Sequence, residues 1–406
     1  MKKLIFNIYA FCIFALVPLL ISPSAKDIFN NYKIDAAAFS TLIFIIIDIF
    51  ILKSKYDFDN LDLSVAIYGV IITLSAFLSV NINYSVFGVP RSREGLISLI
   101  TYIFIFIIFH KNYKLLSFKL IDFVFLSSAV ISLYGILQIY HINPLLNGKN
   151  NEFRNMVTST IGQRNFVGTY CTLLLPISIG IFIMKTYRRY AVYSILLFGL
   201  MLGSVTRSAW IAFAFYSLVL LYFSFKNKAV DIKKLILFLM ICAVAFGIAN
   251  ITNKNMFTDR TKQLVHDAKN IDEDTAGSTR IYIWERTLPM ILDKPILGSG
   301  PDTFGILYHK NGKPKYKILF DKAHNEYLQI ALTEGLPALL LYLGMVLYIL
   351  KGLYKRRNES FVNIILLCCI SGYLMQAFFN ISFISVAPIY WAMLGISAGR
   401  AYEISN

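Results

Sequence analysis

Three side chains stand out for the chemistry their types and settings allow: Arg207, Arg280 and His324. Arg207 sits in the step Ser204-Val205-Thr206-Arg207-Ser208-Ala209-Trp210, which divides two apolar runs. An ionisable group at membrane depth is costly, so it is a functional suspect by default. The competing role is an anchor that snorkels to lipid phosphates; a turn this short leaves Arg207 little freedom for that. Arg280 taken alone reads as a solvated loop charge, and His324 taken alone as a structural histidine. Zinc is not expected, because His324-Asn325-Glu326-Tyr327-Leu328 lacks the second histidine of a His-Glu-x-x-His motif. His110, His141, His266 and His309 make no ligand spacing with His324. Gly298-Ser299-Gly300 lacks the Lys-Ser/Thr of a phosphate loop, and no other nucleotide motif occurs, which disfavours an energy-coupled pump.

The elements that would hold these residues follow from composition. Of 406 residues, 57% are hydrophobic and 15% charged, with mean hydropathy +0.62. Soluble domains run at about 45–50% apolar and about 25% charged. One soluble core of this length cannot hide so much apolar side chain. That excludes a disordered chain, a secreted disulfide scaffold and an ordinary cytosolic enzyme. The fold class is an all-α polytopic membrane protein, because backbone groups in lipid need internal partners. Twelve spans are expected, at Leu4–Ile21, Ala36–Leu52, Leu63–Val80, Leu96–Phe109, Leu120–Tyr140, Phe166–Met184, Ala191–Val205, Ala209–Phe225, Leu235–Ile251, Leu336–Leu350, Phe361–Phe379 and Phe383–Ser397. Each approaches the roughly 20 residues of a bilayer crossing, with helices extending into the flanks. The cysteines Cys12, Cys171, Cys242, Cys368 and Cys369 all fall in these runs and read as buried apolar residues.

The net charge is +16, from 39 Lys+Arg against 23 Asp+Glu. With a cytoplasmic N-terminus, nineteen basic residues lie on inner loops and ends, eight on short outer loops and twelve on the long segment Thr252–Glu334. That bias fits the positive-inside rule with both termini cytoplasmic. The N-terminal run resembles a signal peptide ending near Ser22-Pro23-Ser24-Ala25, but it exceeds the usual apolar length of about 7–15 residues, so an uncleaved span is expected. The chain reads as one integral membrane unit, 1–406, with a long extracytoplasmic loop, 252–334, between spans nine and ten. Twelve basic and eleven acidic residues in that loop argue against nucleic-acid binding.

Within the loop, Asn253–Gly277 is polar and mixed in charge. Ser278-Thr279 offers an N-cap. Ile281, Trp284, Leu288 and Ile291 mark one face of an amphipathic helix that Pro289 should kink. Asp302–Leu307 starts a short helix, Lys310–Lys317 is basic, and His324 should stand near the N-terminal end of a further helix at the outer membrane face.

Several stretches together resemble the O-antigen ligase/polymerase superfamily. They are Ser278-Thr279-Arg280 with Trp284, Lys294-Pro295-Ile296-Leu297-Gly298-Ser299-Gly300-Pro301-Asp302-Thr303-Phe304-Gly305, Ala323-His324-Asn325-Glu326-Tyr327-Leu328, and Glu334-Gly335-Leu336. The Thr206–Trp210 step, Ile161-Gly162-Gln163-Arg164-Asn165-Phe166 ahead of a span with Pro176, and Gly88–Gly95 are similar too. The likeness covers the whole topology, and Pro289 departs from it.

The resemblance implies a GT-C-like membrane fold. It implies transfer of a glycan from a polyprenyl diphosphate, such as undecaprenyl diphosphate, at the outer face of the cytoplasmic (inner) membrane. It also implies that Arg207 and Arg280 bind the donor's pyrophosphate and that His324 assists the acceptor. The chemistry of these residues agrees. Paired guanidiniums stabilise a leaving pyrophosphate through charge-assisted hydrogen bonds, without a metal. Histidine titrates near the working pH and can deprotonate a sugar hydroxyl or only orient it. Arg164, Asn165, Asn325 and Tyr327 are further candidates for the lining, and no cofactor is expected. The leading expectation is a ligase-type glycosyltransferase of polysaccharide or lipopolysaccharide biosynthesis in the cell envelope, moving a glycan en bloc to a glycan, lipid or protein acceptor. A repeat-unit polymerase using the same donor is the alternative. A twelve-span transporter is the competitor from another class, weakened by the lack of repeated halves.

Overall fold

The computed structural model describes residues 1–22, 29–90, 92–143, 157–184, 187–226, 230–269, 279–310 and 320–402. The parts of these expectations that fall on residues 23–25, 270–278 and 311–317 lie outside the described residues. Among the described residues there are helices and connecting turns and no strand. Nine of these helices are long and apolar enough to cross a membrane: Lys2–Leu19, Tyr32–Ile51, Asn60–Phe77, Leu96–Leu115, Phe118–Ile139, Arg164–Met184, Arg207–Lys226, Ile232–Thr252 and Leu336–Lys355. Three shorter apolar helices, Arg188–Gly203, Phe361–Ala377 and Ala387–Ala401, fill the other expected spans. The chain is a polytopic integral membrane protein. The short helices are sheathed by neighbours, with Cys368, Ile370, Ala392 and Leu394 fully buried. Backbone beyond a short helix is tolerated at membrane depth where protein covers it.

Arg164–Met184 is the hub. Of its apolar window 83% is buried, against 17% for Ile232–Thr252, whose sides are left to lipid. The hub packs on Arg188–Gly203, Phe361–Ala377 and Arg207–Lys226. Small residues allow the closest approach: a Cβ on Gly168 would stand 3.0 Å from the Cβ atoms of Ala209 and Thr206. Small side chains at such crossings let helix backbones meet where lipid supplies no hydrophobic drive. There Thr206 Oγ1 donates to the Arg164 carbonyl at 3.0 Å, tying the starts of two helices together.

The outer segment departs from expectation in three places. The polar stretch after Thr252 contains a helix, Met256–Lys269. The Trp284 helix, Arg280–Asp293, holds Pro289 within it as expected and buries Ile283, Thr287, Met290 and Ile291, but Leu288 is 54% exposed. Its rotation is set by Trp284, whose ring meets Phe378 and Phe379 at 5.3 and 6.1 Å and whose Nε1 donates to the Ala323 carbonyl at 3.1 Å. An indole must satisfy both an apolar body and a polar N–H, which outweighs the periodicity of one leucine. Thr279 does take the N-cap position, but at φ +66° and without a side-chain cap hydrogen bond. The short helix expected after Asp302 is Phe304–Lys310, and the helix after His324 is Glu326–Thr333.

The Lys294–Gly305 stretch is a brace. Ser299 N donates to the Leu332 carbonyl (3.0 Å), Gly300 N to the Thr333 carbonyl (2.8 Å) and Leu336 N to the Pro295 carbonyl (2.7 Å). Gly335, at φ +97°, permits the crossing, since a Cβ there would lie 2.1 Å from the Ile296 carbonyl oxygen. Asp302 draws in the Gly88–Gly95 stretch. Its Oδ2 accepts from Val89 N and Ser92 Oγ, both at 2.6 Å, and from Glu94 N at 3.2 Å, while Lys322 pairs with its Oδ1.

Candidate active site

His324 is clamped from both sides. Lys322 is buried against Asp302. Ala323 donates its N–H to Gln329 Oε1 at 2.9 Å, and its carbonyl accepts from Trp284. Asn325 caps the next helix, its Oδ1 accepting from Tyr327 N at 3.0 Å and Leu328 N at 3.1 Å. Between these clamps His324 takes φ +50°. The left-handed region costs a residue with a Cβ roughly 1–2 kcal/mol and persists where the surroundings over-determine it. The ring's Nδ1 is sealed from solvent with no hydrogen-bond partner.

Strain of the same kind adjoins the two arginines. Val205, a β-branched residue, has φ +51° two positions before Arg207, and Thr279 has φ +66° immediately before Arg280. Arg164, Arg207 and Arg280 are each the first residue of a helix. Helix starts present free N–H groups and the positive end of the backbone dipole, which disfavour a lone cation and favour an anion.

These groups converge. Burial, then repulsion from Arg207, Arg260 and Arg164, lowers Arg280 to about 10. Burial, then the charge on Arg280, lowers His324 to about 4, so its imidazole is neutral at pH 7. Burial, then Arg207 and Arg164, lowers Arg260 as well. Arg207 Nη1 pairs with Asp267 Oδ2 at 2.6 Å. Four guanidiniums meeting at a partly covered site suit a multiply charged anion, which can bridge several of them by charge-assisted hydrogen bonds.

A small cavity of about 60 Å³ adjoins the same segment, lined among others by Glu94, Asp302, Lys322, Glu326 and Glu334. Burial pushes Glu94 up to about 8, and Glu326 and Glu334 up to about 7. Tyrosines from the spans hold these carboxyls: Tyr68 on Glu334 at 2.7 Å, Tyr373 on Glu326 at 2.8 Å, and Tyr102 on Glu94 at 3.2 Å. The network fastens the outer loop to the bundle.

Of the expected residues, Arg164 and Arg207 lie within electrostatic reach of Arg280, and Arg280 within reach of His324. Asn165 follows Arg164, and its carbonyl accepts from Gln376 Nε2 (3.2 Å) and Asn380 Nδ2 (3.4 Å). Asn325 is taken up by its cap, and Tyr327 donates its hydroxyl to the Leu374 carbonyl at 2.8 Å; both shape the backbone around His324. Elsewhere, Asp59, Asp62 and His110 place ligand atoms within 4.8 Å of one another, a grouping their spacing in the chain does not announce. Lys111 pairs with both carboxylates, putting an ammonium where a cation would stand. His110 lies about 21 Å along helix Leu96–Asn112 from its start at Leu96.

Arg260 and Asp267 escaped the reading from sequence. The available signal was Phe257, Arg260 and Asp267 at i, i+3 and i+10, one face of a helix in a stretch that reads as polar loop.

Residues 192–343 match the family model described as O-antigen ligase. The chain is 24% identical over 328 residues to an uncharacterised protein of Haemophilus influenzae, covering 76% of this chain and 78% of that one. It is 30% identical over 162 residues to a Rickettsia conorii protein whose name proposes a polysaccharide ligase, covering 37% of this chain and 38% of that one. It is 25% identical over 246 residues to the ComP-specific O-oligosaccharyltransferase of Acinetobacter baylyi, covering 58% of this chain and 42% of that one. The match thus spans less than half the length of the two relatives whose names carry an activity. The stretch that matches the O-antigen ligase model contains Arg207, Arg280 and His324.

Proposed function

We propose that this chain is a ligase-type glycosyltransferase that takes a glycan from a polyprenyl diphosphate and passes it to an acceptor at the outer face of the cytoplasmic membrane. The observation that carries this reading is the convergence of Arg164, Arg207 and Arg280, each heading a helix, beside His324. The guanidiniums and helix-start N–H groups bind the donor's diphosphate and stabilise the charge it gains on leaving. The acceptor hydroxyl attacks the anomeric carbon while the bond to the diphosphate oxygen breaks, inverting that centre. His324 takes the hydroxyl proton.

His324 is a weak base, held down by burial and Arg280. A diphosphate on Arg280 offsets that cation, so donor binding raises the proton affinity of His324 just when the base is needed. The arginines supply the positive charge that a metal supplies in other phosphate chemistry, so the transfer proceeds without one. The chain acts as one membrane unit, 1–406, with the loop 252–334 over the outer face and both termini cytoplasmic, a topology supported by the nine long and three shorter apolar helices among the described residues and by the basic inner loops.

The test is reconstitution in lipid vesicles with a polyprenyl-diphosphate-linked oligosaccharide and a panel of glycan, lipid and protein acceptors. Acceptor-dependent release of polyprenyl diphosphate, with one glycan transferred per release, is expected. Uptake of a small solute with no transfer to any acceptor would contradict the proposal.

A further inference from the structure

We propose that helix Met256–Lys269 is a lid on the donor site, in which Asp267 occupies the position on Arg207 that a donor phosphate takes and Arg260 becomes an additional diphosphate ligand once Asp267 is displaced. This rests on the donor reading above. Phe257, Arg260 and Asp267 fall within an arc of about 80° on the helix, so they share one face. Phe257 is fully buried, its ring 6.3 Å from Trp210 and 6.2 Å from Phe246. Trp210 follows Arg207 by three residues, so this anchor turns the face toward the arginine. At the far end Asp267 Oδ2 lies 2.6 Å from Arg207 Nη1. A carboxylate offers a guanidinium the same pair of acceptor oxygens that a phosphate offers.

Arg260 stands two turns before Asp267. Its Nη1 donates to Gln263 Oε1, while its Nε is buried and without a partner. It is repelled by Arg207 and Arg164. A guanidinium with an unused buried donor, facing others of its kind, is stabilised by an anion that they share. On donor entry no covalent bond changes: the Asp267–Arg207 pair is exchanged for a diphosphate that reaches Arg207 and Arg260 together. A monophosphate, with a single phosphorus centre, reaches fewer of these guanidiniums than a diphosphate does. The lid therefore makes the site selective for a diphosphate over a monophosphate.

The experiment uses the full chain in lipid nanodiscs at low ionic strength, titrated calorimetrically with inorganic pyrophosphate and, separately, inorganic phosphate. D267N is expected to tighten pyrophosphate about three- to tenfold, because a competing anion is gone. R260Q is expected to weaken pyrophosphate by about tenfold or more while phosphate changes by less than about twofold, and R260K is expected to fall between. Thermal unfolding verifies that each variant is folded, and D267S replaces D267N if the amide disturbs the helix. R207Q separates the two readings. If the wild type binds no pyrophosphate, or R207Q binds it as the wild type does, the donor site itself is wrong. If R207Q loses binding while D267N and R260Q match the wild type, or if both Asp267 variants bind more weakly, the lid is overturned and the donor site stands.

Discussion

His324 is held neutral by burial and by Arg280, and that balance is testable. R280Q should raise the His324 pKa from about 4 toward the ordinary value of about 6.5. Adding pyrophosphate to the wild type should move it the same way, as read from the imidazole proton resonances; a titration that ignores both would refute the coupling. The sign for stability follows. The folded value lies below the unfolded one, so this group favours folding above about pH 6.5, and its contribution fades as the pH falls through about 4. For catalysis, H324Q should lower transfer by about 10²–10⁴-fold, the usual worth of a general base, with donor binding retained. Arg207 and His324 stand out in the sequence because each sits in a short motif of unusual composition. Arg260 was not, since a single arginine among mixed charges looks like a solvated surface until Phe257 and Asp267 are seen to share its face.

At the scale of elements, the segment 322–325 is placed by parts distant in sequence, and its performance should depend on them. W284F removes the hydrogen bond to the Ala323 carbonyl while keeping an aromatic ring. It should cost about 1 kcal/mol of stability and lower kcat about tenfold with little change in donor affinity, because His324 loses one clamp. Asp302 is the junction of Val89, Ser92, Glu94 and Lys322. D302A leaves Lys322 buried without its anion, and a loss of about 3–5 kcal/mol is expected from thermal or denaturant unfolding. Glu334 is raised to about 7 by burial. A folded value above the unfolded one means its contribution is present below about pH 4.5 and lost as the pH rises through about 7. E334Q should therefore gain on the wild type progressively between those values, with the Tyr68 contact kept. The amphipathic Trp284 helix was legible from its periodicity, but not its rotation, which depends on Phe378, Phe379 and Ala323 from other segments. The Met256–Lys269 helix was hidden by low hydrophobicity: its burial rests mainly on Phe257.

At the scale of the whole molecule, the spans were legible because lipid imposes length and apolarity on every crossing. Their arrangement was not, because hydropathy does not distinguish the central Arg164–Met184 from the lipid-facing Ile232–Thr252. That difference lies in contacts such as Gly168 against Ala209. Sidedness can be checked by cysteine labelling with an impermeant reagent. A cysteine at Lys262, whose side chain is 75% exposed, should react in intact cells, and one at Glu359, at 56%, only after permeabilisation. The reverse pattern would invert the topology and move the arginine site to the cytoplasm. The most direct test of the account is the reconstituted transfer assay run on R207Q, R280Q and H324Q, normalised to folded protein. Acceptor-dependent release of polyprenyl diphosphate should fall at least about a hundredfold in each variant. Release at the wild-type rate in all three would contradict the assignment of this site.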